Sequence, residues 1–502
     1  MTVRAEPRAP GGRAGTIFSP AYRVTTLGIL ILMTIIAFEA LAVATALPTA
    51  ARSLHGLASY GWAFTGFLVT SVVGMVVSGM YSDLHGARRP LLAGLLLFVA
   101  GLLVGSAANT MLVLVAARFV QGLAVGLLIT AMYVVMGEVY DDLLRPRIFA
   151  ALAGAWVIPG LVGPMLAGWI TEQLSWRWVF GGLSPFVALG GLLILPSLRQ
   201  LRGSVTTGRI DHRRVGYALL TAVGVAGVAN LGEHLDLLGA AGAAVGLVAM
   251  LAGLRRLLPA GTARFASGVP AAIAFRGVLA GVFVGMEVIV PLTLTVQLHY
   301  SPTMAGTPLM LSALSWAAAS TIQSRLPHPN RARLVALGLV LMAVGGVGMA
   351  LVALRTVPGA VAFALWPFAG FGAGFAITSA SVVMLECTTD AQRGSDSAAL
   401  QLADSSVSAI SAAFAGAFVA LAAHGRIGYG TGFAVVFVAM AGLAAVAIGR
   451  ASRLTGAAVR RPADGAPVSP AVPGVTGTGP ATGADRPLSR SVECSWPGSV
   501  SS

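Results

Sequence analysis

Fourteen apolar stretches, each long enough to cross a bilayer, fill this chain from about Thr26 to Arg450. A spanning helix needs about 20 mostly apolar residues. The stretches run over 26–49, 62–81, 91–108, 112–138, 149–170, 179–197, 215–232, 237–257, 271–297, 304–323, 334–354, 359–385, 400–423 and 430–450. The chain is 56% hydrophobic and 10% charged, with a mean hydropathy of +0.85. A soluble protein of this length could not keep that much apolar surface dry. The sequence therefore predicts an all-α polytopic membrane protein with 14 transmembrane helices. Its function lies in what those helices bury.

The formal net charge is +14, and all 32 positive residues are arginine. These arginines sit mainly in the loops and tails between apolar stretches, so they report topology and not a nucleic-acid partner. Cytoplasmic loops of membrane proteins carry excess Lys and Arg. With fourteen spans and the N-terminus inside, the opposite side holds only Arg52, Arg177, Arg355 and Arg426. Arg118 and Arg276 fall within spans. The asymmetry predicts both termini in the cytoplasm, and one missed span would scramble it.

Two basic connections, at 198–214 and 258–269, divide the chain. We read a cytoplasmic N-terminal tail at 1–25, a six-helix bundle at 26–200, a two-helix insertion at 211–258 and a second six-helix bundle at 270–451. Residues 452–502 are rich in Pro, Gly, Ser and Thr and read as a disordered cytoplasmic tail. The first apolar stretch is too long for the core of a cleavable signal, so it reads as a retained span. The two cysteines, Cys387 and Cys494, match no metal site or disulfide framework.

Between the second and third spans, Gly79, Asp83, Gly86, Arg88 and Arg89 have the spacing G-x-x-x-D-x-x-G-x-R-R. A tight turn needs glycine for its backbone. Asp83 is an acid among bases, able to pair with Arg88, Arg89 or a helix N-terminus. Other patterned stretches follow. RFVQGLAVG begins at Arg118 and contains Gln121, Gly122 and Gly126. PGLVGPMLAGW begins at Pro159 and contains Gly160, Gly163, Pro164 and Gly168. SWRWVF spans 175–180, with Pro185 after it. FEALAVATALP spans 38–48.

Taken in order, these pieces resemble the major facilitator superfamily over about residues 20–450. The 79–89 stretch is similar to its signature loop, which the resemblance implies helps latch two six-helix halves. Arg118 to Gly126 resembles the fourth-helix motif, and the resemblance implies a coupling role for the arginine. Gly160, Gly163, Pro164 and Gly168 resemble the fifth-helix antiporter motif, with Pro159 and Ala167 where glycines are usual. SWRWVF and Pro185 resemble the start of the sixth helix. Residues 38–48 resemble the first-helix motif of the fourteen-spanner drug:proton antiporter branch. There Glu39 replaces the usual Asp and Leu41 the usual Thr, while Ala46, Leu47 and Pro48 match. A faded copy of the signature loop stands at 324–338, with Arg333 and Gly338 at the places of Arg89 and Gly94 and Pro327 at that of Asp83. Internal repeats of this kind characterise transporters.

An ionisable group at mid-bilayer costs about 2.5–3.5 kcal/mol on insertion scales, which makes each one a functional candidate. Glu39 lies near the middle of the first span and reads as a proton carrier. Arg118 lies about two turns inside the fourth span. At about 1.5 Å rise per residue the two depths differ by about 6 Å, which long side chains can close. The expectation is that they pair and that protonation of Glu39 releases the pair. The alternative is a fixed structural salt bridge. Glu287, deep in the ninth span, is a second proton site or a contact for a cationic substrate, and Arg276 is too far along that helix to pair with it. Asp404 lies one turn into the thirteenth span, where hydration competes with a transport role. Glu138 and Glu386 end helices and read as ordinary surface acids.

Phe38, Trp62, Tyr133, Trp156, Phe283, Trp316 and Trp366 could line a cavity, because aromatic faces attract cations. No catalytic triad, metal cluster or phosphate loop appears, so neither an enzyme nor a cofactor is expected. The expected function is proton-coupled export by alternating access. The resemblance implies lipophilic, often cationic drugs or metabolites as substrates, and antibiotic resistance through multidrug efflux. The expected partners are a small-molecule substrate, protons and the lipid bilayer of a bacterial plasma membrane. The oligomeric state stays open, with a monomer the simplest case. Two rivals are a proton-coupled importer or facilitator of the same fold and a non-transporting membrane sensor or scaffold.

Overall fold

The computed structural model describes residues 16–141, 143–198, 212–230, 237–326, 329–388 and 392–454. The described elements are helical. They are α1 (Arg23–Ser53), α2 (Tyr60–His85), α3 (Arg88–Ser106), α4 (Met111–Val139), α5 (Arg145–Gly154), α6 (Val157–Gln173), α7 (Arg177–Gly181) and α8 (Ser184–Leu198). Then come α9 (His212–Ala229) and α10 (Leu237–Leu257). The remainder are α11 (Val269–Glu287), α12 (Val290–Leu292), α13 (Pro302–Ser324), α14 (Arg331–Ala353), α15 (Ala362–Cys387), α16 (Arg393–Ala423) and α17 (Tyr429–Ile448). Side-chain caps from Thr110, Ser301 and Asn330 accept backbone N–H groups at the starts of α4, α13 and α14.

Among the described residues, ten helical stretches are long and apolar enough to cross a membrane. The other four predicted spans fall on α6, α9, α10 and α13. Of these, α6 has 17 residues after a break from α5, and α13 carries Ser312, Ser315, Ser320 and Thr321. Two predicted single spans are interrupted, each four residues before a proline. The helix breaks at 155–156 ahead of Pro159, and α11 ends at Glu287 ahead of Pro291. Proline has no N–H to bond the carbonyl four residues back, and its ring crowds that carbonyl. Beyond the second break the chain runs through α12 into one π-helical turn over Thr293–Gln297.

Helices α1–α8 pack mainly on one another, as do α11–α17. Small residues set these contacts, since close backbones are what helices in lipid can gain by packing. Gly277, Gly281 and Gly285 recur every four residues on α11 and lie against Ala403, Val407 and Ser411 of α16. Gly94 of α3 lies against α4, and Gly338 of α14 lies against α15. The repeat in the sequence thus corresponds to equivalent packing in the two halves. Helices α9 and α10 form an antiparallel pair, and α9 contacts both α2 and α16. Val225, Ala229, Met250 and Leu254 share an apolar cluster there with Val69, Ala409 and Ala413.

The two halves meet at the end of the molecule opposite the arginine-rich loops. Three hydrogen bonds join them there. The Arg52 guanidinium donates to the Thr295 carbonyl (3.4 Å), the Tyr60 hydroxyl to the Val288 carbonyl (2.7 Å) and the Thr303 hydroxyl to Glu172 (2.6 Å). That last bond holds the exposed Glu172 carboxyl below its ordinary pKa. Gly61 of α2 touches the Gly416 backbone of α16. Gly168 of α6 lies against Pro302 and Thr303 of α13, and Gly306 lies against Pro164.

Tyr133 of α4 is 40% exposed. The predicted tail at 452–502 falls outside the described residues apart from 452–454, where a short 3-10 turn over Ala451–Leu454 ends the described chain.

Candidate functional site

Four long helices bring two arginine–carboxylate pairs inside the molecule. In the first half, Arg118 donates from Nη1 to Glu39 Oε1, so the pair predicted from helix depth is present. The same guanidinium donates to Gln121 Oε1 (2.6 Å) and to the Ala63 carbonyl (3.2 Å), and sits 4.1 Å from the centre of the Phe67 ring. Gln121 in turn donates to the Gly101 carbonyl (2.8 Å). One arginine therefore joins α1, α2 and α4, while its glutamine neighbour holds α3. Arg118 and Glu39 are 3% and 0% exposed. Glu39 Oε2 is buried with no hydrogen-bond partner among the described residues. A lone buried carboxylate oxygen is costly unless it carries a proton or meets a donor.

The second pair was not expected. Arg276 donates from Nε (2.8 Å) and Nη2 (2.6 Å) to Asp404 Oδ2, and from Nη1 to the Ser381 hydroxyl (3.0 Å). It ties α11 to α16 and α15. These side chains are 20% and 19% exposed. Asp404 is thus neither deeply buried nor merely hydrated. The signal that could have found this pair is the glycine repeat beginning at Gly277, which brings α11 against α16.

Glu287 stands three turns beyond Arg276, on the same side of α11, where the helix ends. It is half-buried, and no hydrogen bond or ion pair joins it to another described residue. Phe283, one turn earlier, lies edge-on to Trp316 (5.3 Å between centroids) and stacks on Trp366 (5.6 Å). Three of the seven predicted aromatics thus cluster beside an unpaired carboxylate. Trp62 instead stacks on Phe119 and Tyr133 on Phe149. Glu138 and Glu386 are exposed at helix ends.

The G-x-x-x-D-x-x-G-x-R-R residues form the turn between α2 and α3. Gly86 has φ +80°, a conformation that side chains with a Cβ rarely adopt. Gly79 is loosely surrounded, Asp83 and Arg88 are exposed, and Arg89 donates to the Tyr81 hydroxyl (2.7 Å) within its own half. The PGLVGPMLAGW stretch lies on α6. Gly160, Pro164 and Gly168 face α13 across the seam between the halves, and Gly163 faces Phe38 of α1. The sequence marks these glycines without showing that they form the seam.

The sequence profile of the Major Facilitator Superfamily matches residues 27–412. The chain is similar to the multidrug transporter protein MdtP of Bacillus subtilis, 29% identical over 189 residues, covering 38% of this chain and 34% of that protein. It is 26% identical over 192 residues to multidrug resistance protein 3 of the same organism, covering 38% and 36%. It is 30% identical over 200 residues to the MFS transporter L2 of a Phoma species, covering 40% and 32%. The matches thus span about a third of the length of these curated relatives.

Among solved structures, a POT family transporter in complex with a thioalcohol-conjugated peptide superposes with a TM-score of 0.64 at 14% identity, covering 86% of this chain and 96% of that one. The human organic anion transporter MFSD10 superposes with a TM-score of 0.56 at 15% identity, covering 86% and 100%. At such identities the likeness is one of fold. With the profile matched over most of its length, the chain belongs to the Major Facilitator Superfamily.

Proposed function

We propose that this chain exports lipophilic, often cationic drugs or metabolites in exchange for protons, as a member of the fourteen-spanner antiporter branch. The observation that carries the reading is Glu39, held by Arg118 in the core of the first half with Oε2 unpartnered. A proton on that oxygen neutralises the carboxyl and loosens the ion pair. The arginine can then relax against Gln121 and the Ala63 carbonyl, which shifts α1 relative to α4. Glu287, unpaired beside Phe283, Trp316 and Trp366, is the contact for the cationic group of the substrate and a second proton site. Asp404 opposes Arg276 at the cavity wall. The names of two relatives, a multidrug transporter and a multidrug resistance protein, support the substrate class.

The arginine-rich end is the cytoplasmic one by the positive-inside rule. The seam at the other end then makes this conformation inward-facing, with the cavity open for loading. Rocking of the halves opens the seam made by Gly160, Pro164 and Gly168 and brings the Gly79–Arg89 turn up to the second half, where it acts as the latch. The stretches on α6, α9, α10 and α13 complete fourteen crossings, with both termini inside a bacterial plasma membrane.

The test uses purified protein in liposomes loaded with a pH dye, under an imposed pH gradient, with ethidium-like cations added. Substrate-triggered proton movement that is lost in Glu39→Gln is the expected result. Movement that survives the substitution transfers coupling to Glu287 or Asp404. Cation transport without proton movement makes the protein a facilitator. No transport of any solute favours a sensor or scaffold.

A further inference from the structure

The helix pair α9–α10 lies outside the machinery described above, yet its ends carry a dense positive charge. Arg213 and Arg214 open α9, and Arg255 and Arg256 close α10. The pair is antiparallel. Gly253 lies against the Tyr217 carbonyl and Thr221, and Gly224 lies against the backbone of Gly246 and Met250. This register brings all four arginines to one end, at the same level.

Arg214, Arg255 and Arg256 are exposed, and no carboxylate among the described residues pairs with them. Ala252, Arg255 and Arg256 line a shallow open depression on α10 at this end. Directly along α10 from Arg255, at helical spacings of four and three, stand exposed Leu251 and Val248. Arg255 thus stands at the end of an exposed apolar stripe on the face of α10 turned away from α9.

We propose that this end of α9–α10 is a binding site for an anionic phospholipid, the phosphate held by Arg255 and Arg256 and the acyl chains lying along Leu251 and Val248. Guanidinium groups match phosphate oxygens in bidentate fashion. Basic clusters at the membrane surface next to spanning helices recognise anionic headgroups. A soluble anion would use the arginines alone, whereas the apolar stripe adds contact only for a lipid. The site bears on transport because α9 contacts both α2 and α16, one helix from each half. A lipid that anchors this pair to the bilayer also holds the brace across the seam. The inference does not depend on the proton-coupled reading, because its primary readout is lipid binding.

The experiment delipidates the full-length protein in detergent and titrates it with phosphatidylglycerol or phosphatidylcholine, counting retained lipids by native mass spectrometry. Wild type should retain phosphatidylglycerol in preference. Each surface arginine contributes about one factor of five, so the Arg255→Gln, Arg256→Gln double variant should weaken that retention about 30-fold. The charge-matched Arg325→Gln, Arg333→Gln variant should leave it unchanged. Glycerol phosphate should not displace the lipid. Equal loss in both double variants, or no preference in wild type, would overturn the site in favour of a general positive field. Displacement by glycerol phosphate would overturn it in favour of a soluble-anion site. If the first double variant does not fold, the single variant Arg255→Gln gives the same reading at about 5-fold.

Discussion

The two halves of this molecule each hold one arginine–carboxylate pair, and the pairs differ in what surrounds them. Arg118 and Glu39 are sealed, with 3% and 0% exposure, and the arginine has three further neighbours in Gln121, Ala63 and Phe67. Arg276 and Asp404 are joined by two hydrogen bonds to one carboxylate oxygen but keep 20% and 19% of their surface. A sealed pair cannot exchange its charge with water, so any proton that enters must change the interactions of the pair. A reachable pair can be screened and hydrated in place. The first is suited to coupling and the second to holding helices together where solvent can reach them.

Removing the arginines should separate the two pairs most sharply. Arg118→Ala leaves Glu39 buried and uncompensated, a change that costs about 3–5 kcal/mol. Arg276→Ala leaves Asp404 where water can reach it, and the loss should be about 1 kcal/mol. Thermal midpoints of the purified variants in one detergent would show this. Equal losses would mean that the exposure difference does not govern the pairs. Replacing the whole sealed pair, as Glu39→Leu with Arg118→Met, should recover most of the stability, since apolar groups of similar volume substitute well for buried ions. Transport should stay absent, because the carboxyl is gone.

How far the sequence leads differs between the same two pairs. Glu39 stands near the middle of its apolar span, and Arg118 lies about two turns inside another, so their depths could be compared before any contact was known. Arg276 and Asp404 lie 128 positions apart, and Asp404 stands only one turn into its span, where an error of a few residues moves a side chain from lipid to water. Only the glycines at 277, 281 and 285 hint that α11 packs against α16. The break at Glu287 was also visible in principle, as Pro291 stands four residues on, and the same spacing relates Pro159 to Ala155. Yet Pro164, Pro308 and Pro367 lie inside helices that continue. A proline therefore marks a site where the helix is free to break, and neighbouring helices decide whether it does. The expected topology rests on a different kind of signal, the charge in loops, which follows one rule along the whole chain.

The seam between the halves offers a second way to sharpen the contrast, because α6 carries glycines in it and another that faces its own half. A methyl group on Gly168 would stand 2.6 Å from the Pro302 carbonyl oxygen, against rigid backbone. Gly168→Ala should therefore oppose closure of the seam by about 1–3 kcal/mol. The population should move toward the conformation open at that end, which spin-label distances between α6 and α13 would report. Gly163→Ala, five residues away on the same helix, would meet the Phe38 ring at 3.4 Å, an ordinary contact, and should leave the distances unchanged. If both variants shift the distances equally, the seam is set by helix propensity and not by close approach.

Salt should produce the smallest effect and the most selective one. Mobile ions screen charges that water can reach, with a Debye length near 10 Å at 0.1 M, and screen buried pairs far less. The coupling energy of each pair is obtained from a double-mutant cycle, using Arg276→Gln with Asp404→Asn for one and Arg118→Gln with Glu39→Gln for the other. Between about 0.05 M and 0.5 M salt the Arg276–Asp404 coupling should fall by a few tenths of a kcal/mol, as a partly exposed pair does. The Glu39–Arg118 coupling should not change, because no ion can approach it while the core of the first half is intact. A salt-sensitive Glu39–Arg118 coupling would mean that water reaches the sealed pair in a populated state. In that case the proton path into Glu39 is open in the resting protein, and it needs no rocking of the halves to form.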